Sequence, residues 1–272
     1  MTENDNFDKI SEALKRAAEE KERFLRGDAA PPAFNEKAYS YEGNVSNPTE
    51  TGIDHKIVTY FNARDPIVEQ FRALRAHICS NEKTCDLRTV GITSSSRREG
   101  KSLVSVNLSV VLAQDSARPV LLVDCNLRAP SVNTLLGLPN DKGLSDLLTG
   151  KIKLDEALIK TGIRNLNVLT AGGFSENPAE LMGSRKMAEL LTELKAKFYV
   201  VVLDLPSVMH YADPRMIGPM LDGVVMVARA GVTRREVIVR AEGILKSVGC
   251  NLLGYVLTGI EYHIPDYIHR HL

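Results

Sequence analysis

Three short apolar runs in this 272-residue chain end on groups suited to phosphates or cations, and they limit its fold more than any other feature. Thr89-Val90-Gly91-Ile92-Thr93 leads through Ser94-Ser95-Ser96-Arg97-Arg98-Glu99 into Gly100-Lys101-Ser102-Leu103, and apolar residues then recur through Ala113. Gly100-Lys101-Ser102 therefore sits where a strand hands over to a helix. Unpaired N–H groups and a partial positive charge at a helix N-terminus attract a phosphate, and a lysine and a hydroxyl there suit a β/γ-phosphate and its Mg²⁺. The phosphate-loop pattern G-x-x-x-x-G-K-[ST] is met only in its second half, because Ser95 stands at the first glycine's place. Taken alone, these residues read more readily as a capped helix start with a solvated lysine.

Val120-Leu121-Leu122-Val123-Asp124 and Phe198-Tyr199-Val200-Val201-Val202-Leu203-Asp204 are the other two runs, and each closes on a carboxylate. Apolar runs of this length bounded by turn signals predict strands covered on both faces, hence a parallel sheet. Both aspartates then fall on its carboxyl edge, where open α/β sheets bind ligands. A helix cap is the plain alternative for either one alone. Around these runs the pattern predicts helices over 66–80, 101–114, 143–149, 153–159, 184–197, 212–219 and 233–248. Strands are expected over 88–94, 119–124, 166–170, 199–204, 223–228 and 252–258. Such alternation implies right-handed βαβ units and a doubly wound, mostly parallel α/β sheet.

Ile92 to Ser102, Leu121 to Pro130 and Val202 to Pro206 resemble the Walker A, Walker A′ and Walker B motifs of the bacterial tyrosine kinases, P-loop proteins of the deviant Walker group. The similarity runs from about Asp54 to the C-terminus. It implies an ATP-binding kinase domain over 54–272 that regulates capsule or exopolysaccharide polymerisation and export by transferring phosphoryl groups to tyrosine. The ATP site carried over comprises Ser96, Arg97, Arg98, Glu99, Gly100, Lys101, Ser102, Leu103 and Arg128. Ser102, Asp124 and Asp204 would hold Mg²⁺, and Lys101, Asp124 and Asp204 would serve the chemistry, Asp124 accepting the tyrosyl proton. For Arg128 a structural salt bridge is an equal alternative to a phosphate contact. Glu69, Arg72 and Arg75 match the E-x-x-R-x-x-R segment by which the family packs into homo-oligomeric rings. Tyr262 and Tyr267 are the candidate phospho-acceptors of the C-terminal tail, with packing of Tyr262, Ile264 and Ile268 on the domain as the alternative. The resemblance also implies a membrane-embedded co-polymerase that activates the kinase, a cognate tyrosine phosphatase, and a cytoplasmic location at the inner face of the plasma membrane.

Two positions depart from the family pattern. Asn126 stands where a second aspartate is usual; it keeps an oxygen acceptor and loses a charge. Arg97-Arg98 replace Pro-Gly, so Arg98 restricts a positive φ while offering a guanidinium to phosphate. A nucleotide-switched ring subunit without kinase activity, and a chromosome- or septum-positioning ATPase, are the rival readings. Ser94 to Ser96 lack the early lysine of that last group.

Lys+Arg and Asp+Glu each number 34, so no global field draws the chain to nucleic acid or anionic lipid. Phe7, Ile10, Leu14, Ala17, Phe24 and Leu25 recur at helical spacing, predicting an amphipathic helix over about 6–26. Residues 28–53, with Pro31-Pro32, Asn47-Pro48 and Gly52, read as a flexible linker, so 1–53 forms a separate appendage. The four cysteines lack metal-ligand spacing and are expected to be reduced; Cys125, beside Asp124, is the one candidate for oxidation.

Overall fold

The computed structural model describes residues 52–80, 87–114, 116 and 118–260, all within the compact unit Val45–Leu272. The expected N-terminal helix, most of the linker and the tail carrying Tyr262 and Tyr267 lie outside the described residues.

Among the described residues, seven strands form one sheet: β1 (Thr89–Ser94), β2 (Val120–Asp124), β3 (Ile159–Lys160), β4 (Leu166–Leu169), β5 (Val201–Asp204), β6 (Gly223–Arg229) and β7 (Leu252–Thr258). Their spatial order is β3-β4-β2-β5-β1-β6-β7, and every neighbour is parallel except the β3–β4 edge pair. Period-two alternation sends Leu121, Val123, Val201, Leu203, Val224 and Met226 into one apolar layer and Val120, Leu122, Val202, Val225 and Val227 into the other. Both faces are therefore dry, and each fully buried Val or Leu contributes about 1.5–3 kcal/mol.

Helices cover both layers. α1 (Val58–Phe61), α2 (Pro66–Ser80) and α3 (Lys101–Gln114) lie on one face, whereas α8 (Arg185–Lys197), α9 (Asp213–Ile217) and α10 (Arg235–Ser247) lie on the other. Between them come the short helices α4 (Val132–Leu136), α5 (Leu144–Thr149), α6 (Leu154–Ala157) and α7 (Pro178–Met182). α3 is buried on nearly all sides from Val104 to Ala113, because the sheet covers one side and α1 and α2 the other. Asn107 fastens that outer layer: its Oδ1 accepts the Thr59 hydroxyl at 2.9 Å and its Nδ2 donates to the Lys56 carbonyl at 3.3 Å.

From β1 the chain crosses β5 through α3 to reach β2, while from β5 it crosses β1 in the opposite direction to reach β6. The crevice of a doubly wound sheet opens where such connections diverge, here at the carboxyl ends of β1 and β5. One sequence expectation needs correction. The helix expected over 153–159 stops at Ala157, and Ile159 and Lys160 pair antiparallel with Val168 and Asn167. Four residues form a weak helix, so pairing with an open sheet edge overrides local propensity.

Candidate active site

β1 ends at Ser94 and α3 begins at Lys101, so residues 95–100 form a loop whose shape is set by its own side chains. Glu99 is buried, contrary to the usual exposure of glutamate. Its Oε1 accepts the Ser95 hydroxyl at 2.9 Å and the Thr233 hydroxyl at 2.6 Å, and its Oε2 accepts the Ser96 N–H at 2.8 Å. The Glu99 carbonyl accepts the Thr258 hydroxyl at 2.6 Å. The carboxylate is thus engaged inside the protein, stapling the loop to the turn before α10 and to the end of β7. Gly100 has φ 89°, and Arg98 adopts φ 61°, a left-handed conformation that disfavours side chains other than glycine. The neighbouring N–H groups at the start of α3 have no intrahelical partner.

Asp204 and Asp124 are register partners across β5 and β2, and both are fully buried. Asp124 realises the capping alternative: its Oδ1 accepts the Asn126 N–H at 3.0 Å, and its Oδ2 accepts the Ser131 and Val132 N–H groups at 3.0 and 3.1 Å. Burial, reinforced by the charge of Asp204, still pushes the Asp124 carboxyl up to about 7 against those hydrogen bonds. Burial likewise raises Asp204, opposed by the Lys101 ammonium and the Ser102 and Ser105 hydroxyls. Asp204 is less well satisfied. Its Oδ1 accepts the Ser105 hydroxyl at 3.1 Å, but Oδ2 is a buried oxygen with no hydrogen-bond partner. The same is true of Asn126 Oδ1, while Asn126 Nδ2 donates to the Ala129 carbonyl at 2.7 Å. Two carboxylates, two buried bare oxygens and a serine hydroxyl near a lysine suit a hard divalent cation carried by a phosphate ligand.

The third part of the site lies at its mouth. Arg128 Nε meets Asp213 Oδ2 at 3.5 Å, so the salt-bridge alternative for Arg128 is the arrangement present. The Arg128 and Arg97 guanidinium carbons stand over the Tyr211 ring, 5.0 and 5.1 Å from its centroid, and Arg97 donates to the Tyr211 hydroxyl. The segment bearing Tyr211 is tied to β1 and the loop: Leu205 N–H donates to Ile92 O at 2.8 Å, Val208 N–H to Ser94 O at 2.9 Å and the Thr93 hydroxyl to Pro206 O at 2.7 Å.

No protein-family model matches the chain. It is 37% identical over 191 residues to the tyrosine-protein kinase YwqD of Bacillus subtilis, covering 70% of this chain and 80% of that protein. The chain belongs to the bacterial tyrosine kinase family. A second relative, the putative tyrosine-protein kinase CapB of Staphylococcus aureus, is 32% identical over 195 residues, 72% of this chain and 85% of its own. In structure the fold matches the kinase domain of the Escherichia coli tyrosine kinase ETK with a TM-score of 0.71 at 28% identity, covering 77% of this chain and 84% of that one. A more distant solved neighbour, the septum site-determining protein MinD of Pyrococcus horikoshii complexed with Mg-ADP, matches with a TM-score of 0.55 at 26% identity, covering 68% of this chain and 76% of that one.

The structure brings Ser96 to Leu103, Asp124, Arg128 and Asp204 to one sheet edge, while Glu69, Arg72 and Arg75 stand apart on α2. There Arg72 forms an ion pair with Glu69 of its own helix. Phe71, Leu74 and Ile78 pack inward, as their spacing predicts. Cys125 is corrected as a candidate for oxidation: it is fully buried, and burial together with the charges of Asp124, Asp204 and Asp213 drives its thiol well up, away from the reactive thiolate. Sequence reasoning missed Ser105, Tyr211, Asp213 and Thr233. Ser105 alone carried a signal, being one turn after Lys101 on the same helix face.

Proposed function

We propose that the crevice binds ATP with Mg²⁺ and transfers the γ-phosphoryl group to tyrosine, making the chain an autokinase of capsule or exopolysaccharide export. The observation that carries this reading is the bare, buried Asp204 Oδ2 beside Lys101 and Ser102, with Asp124 on the adjacent strand. Lys101 would neutralise β/γ-phosphate charge, the N–H groups from Arg98 to Ser102 would cradle the phosphate oxygens, and Ser102, Asp204 and Asp124 would hold the metal. Bound Mg·ATP supplies the phosphoryl group and the charge neutralisation that phosphoryl transfer chiefly requires. Ser105 positions Asp204 through its hydrogen bond. Asp124, fixed by three backbone N–H groups, would orient the acceptor phenol, take its proton and return it to solvent. Arg97 and Arg98 would add cationic charge at the two loop positions where Pro-Gly is usual in the family.

In this reading residues 54–272 are the kinase domain, and residues 1–53 are an appended helix and linker. Tyr262 and Tyr267 are the acceptors, presented to a neighbour within a ring built through Glu69, Arg72 and Arg75. A membrane-embedded co-polymerase holds the ring at the inner face of the membrane and activates it, and a tyrosine phosphatase resets it. Among the described residues no helix is long and apolar enough to cross a membrane, so a partner is the means of attachment proposed. Mass spectrometry of the purified full chain after incubation with ATP and Mg²⁺ tests this: phosphotyrosine within residues 261–272 is expected. ATP turnover to free phosphate with every tyrosine unmodified would refute it.

A further inference from the structure

The mouth of the crevice holds a tyrosine that the proposed function does not use. Tyr211 is half-buried on the loop after β5, and backbone hydrogen bonds fix that loop up to the residue itself. Its own N–H and that of His210 donate to Ser207 O at 3.2 and 3.3 Å, and the Met209 N–H donates to Ser95 O at 3.2 Å. The phenol is therefore placed by the phosphate loop itself. Arg97, from that loop, donates to the Tyr211 hydroxyl and lies over its ring; Arg128, from the loop after β2, lies over the same ring.

Ring stacking accounts for one part of this geometry. A cation over a partly exposed aromatic face gives about 0.5–1 kcal/mol, and an aromatic without a hydroxyl would serve as well. Two guanidinium groups converging on one phenol match something else, namely the charge-assisted, multidentate contact that guanidinium makes with phosphate. The arginines come from the two loops that flank the crevice in which ATP is placed. Phosphate donor, acceptor hydroxyl and the cations to hold the product thus share one opening.

Resting on the kinase reading above, we propose that Tyr211 is itself a phospho-acceptor, and that Arg97 and Arg128 bind the resulting phosphate. The bond between Pγ and the β,γ-bridging oxygen of ATP breaks and a bond between Pγ and Tyr211 Oη forms. ADP leaves with the electron pair of the broken bond, and the phenolic proton passes to solvent water at the half-exposed site. The product carries nearly two negative charges, which Arg97 can meet with little movement and which Arg128 meets through its Nη groups while its Nε stays on Asp213. Once engaged there, neither guanidinium is available to the phosphates of a bound nucleotide, so the modification weakens the charge of the mouth.

Two measurements decide the matter. After incubation with ATP and Mg²⁺, the tryptic peptide 198–215 contains Tyr199 and Tyr211, and fragment masses should place phosphate on Tyr211. Tyr211→Phe retains the ring for stacking and should lose that phosphate while keeping any on residues 261–272. Phosphate in the tail with Tyr211 unmodified overturns this proposal alone, and the absence of phosphotyrosine anywhere overturns the kinase reading together with it. The second measurement needs no turnover. With phosphotyrosine installed at position 211 during translation, a soluble tyrosine phosphatase should release phosphate about tenfold faster from Arg97→Ala and Arg128→Ala than from the parent, the scale of losing one charge-assisted contact. Equal release rates would overturn the role given to the arginines.

Discussion

Lys101, Asn126 and Arg98 carry the residue-level consequences. The Lys101 side chain is partly exposed beside Ser102, so its charge faces the crevice and not the core. Lys101→Met should weaken Mg·ATP binding at least about a hundredfold, about 2.7 kcal/mol, with an unchanged unfolding midpoint. Calorimetric titration showing full affinity would remove Lys101 from the site. Asn126→Asp replaces the Nδ2 donor to Ala129 O with a third carboxylate beside two buried ones. In chelator this variant should lose about 1–3 kcal/mol of stability, and Mg²⁺ should stabilise it more than it does the parent. A Mg²⁺ response no larger than the parent's would show that position 126 lies away from the cation. Arg98→Gly removes the side chain from its left-handed conformation, a strain of about 1–2 kcal/mol set against about 0.5–1 kcal/mol of added unfolded-state entropy. Denaturant unfolding should therefore show a gain of at most about 1.5 kcal/mol, accompanied by weaker nucleotide binding.

At the scale of elements, the opposite edge of the sheet shows how the frame behind the crevice is held. Asp222, just before β6, accepts the Arg88 and Thr89 N–H groups at 2.8 Å each and the Thr89 hydroxyl at 3.0 Å through Oδ2, and the Lys195 ammonium at 2.7 Å through Oδ1. Burial tends to raise this carboxyl, but Lys195 and the three donors outweigh it and hold it below the ordinary range. A depressed carboxyl contributes stability above its unfolded value near 4, and that contribution is lost as pH falls through the lower folded value. Asp222→Asn should therefore cost about 1–3 kcal/mol at pH 7, and its disadvantage should shrink when unfolding is measured below pH 4. A constant difference across that range would contradict the assignment. β1, β2 and β5, α3 and the two strand-end aspartates were legible in the sequence because burial on both faces writes a continuous apolar run, and a parallel sheet puts the closing residue at the ligand edge. β3 was not, because two residues on a sheet edge carry no periodic signal. Neither was the Tyr211 cluster, which depends on three loops meeting and leaves no spacing pattern. The inward turn of Glu99 was hidden for the same reason: its partners Thr233 and Thr258 lie more than a hundred residues away.

Assembly is the prediction at the scale of the whole molecule. Arg72 and Glu69 pair within α2, Glu69 largely exposed and Arg72 half-buried, so opening that pair to meet a neighbour costs little, about 0.3–0.5 kcal/mol. Replacing Arg72 and Arg75 together by Ala should leave a folded chain that no longer assembles, and light scattering with Mg·ATP present checks this. Equal masses for parent and variant would place the interface elsewhere. Metal and nucleotide are expected to meet between Lys101, Ser102 and Asp204, and a crystal structure with Mn²⁺ and a non-hydrolysable ATP analogue tests this directly. The anomalous Mn²⁺ peak should lie bonded to the Ser102 hydroxyl within reach of Asp204 Oδ2, with the β- and γ-phosphates on Lys101; a peak away from both residues, or phosphates bound outside residues 95–102, would contradict it.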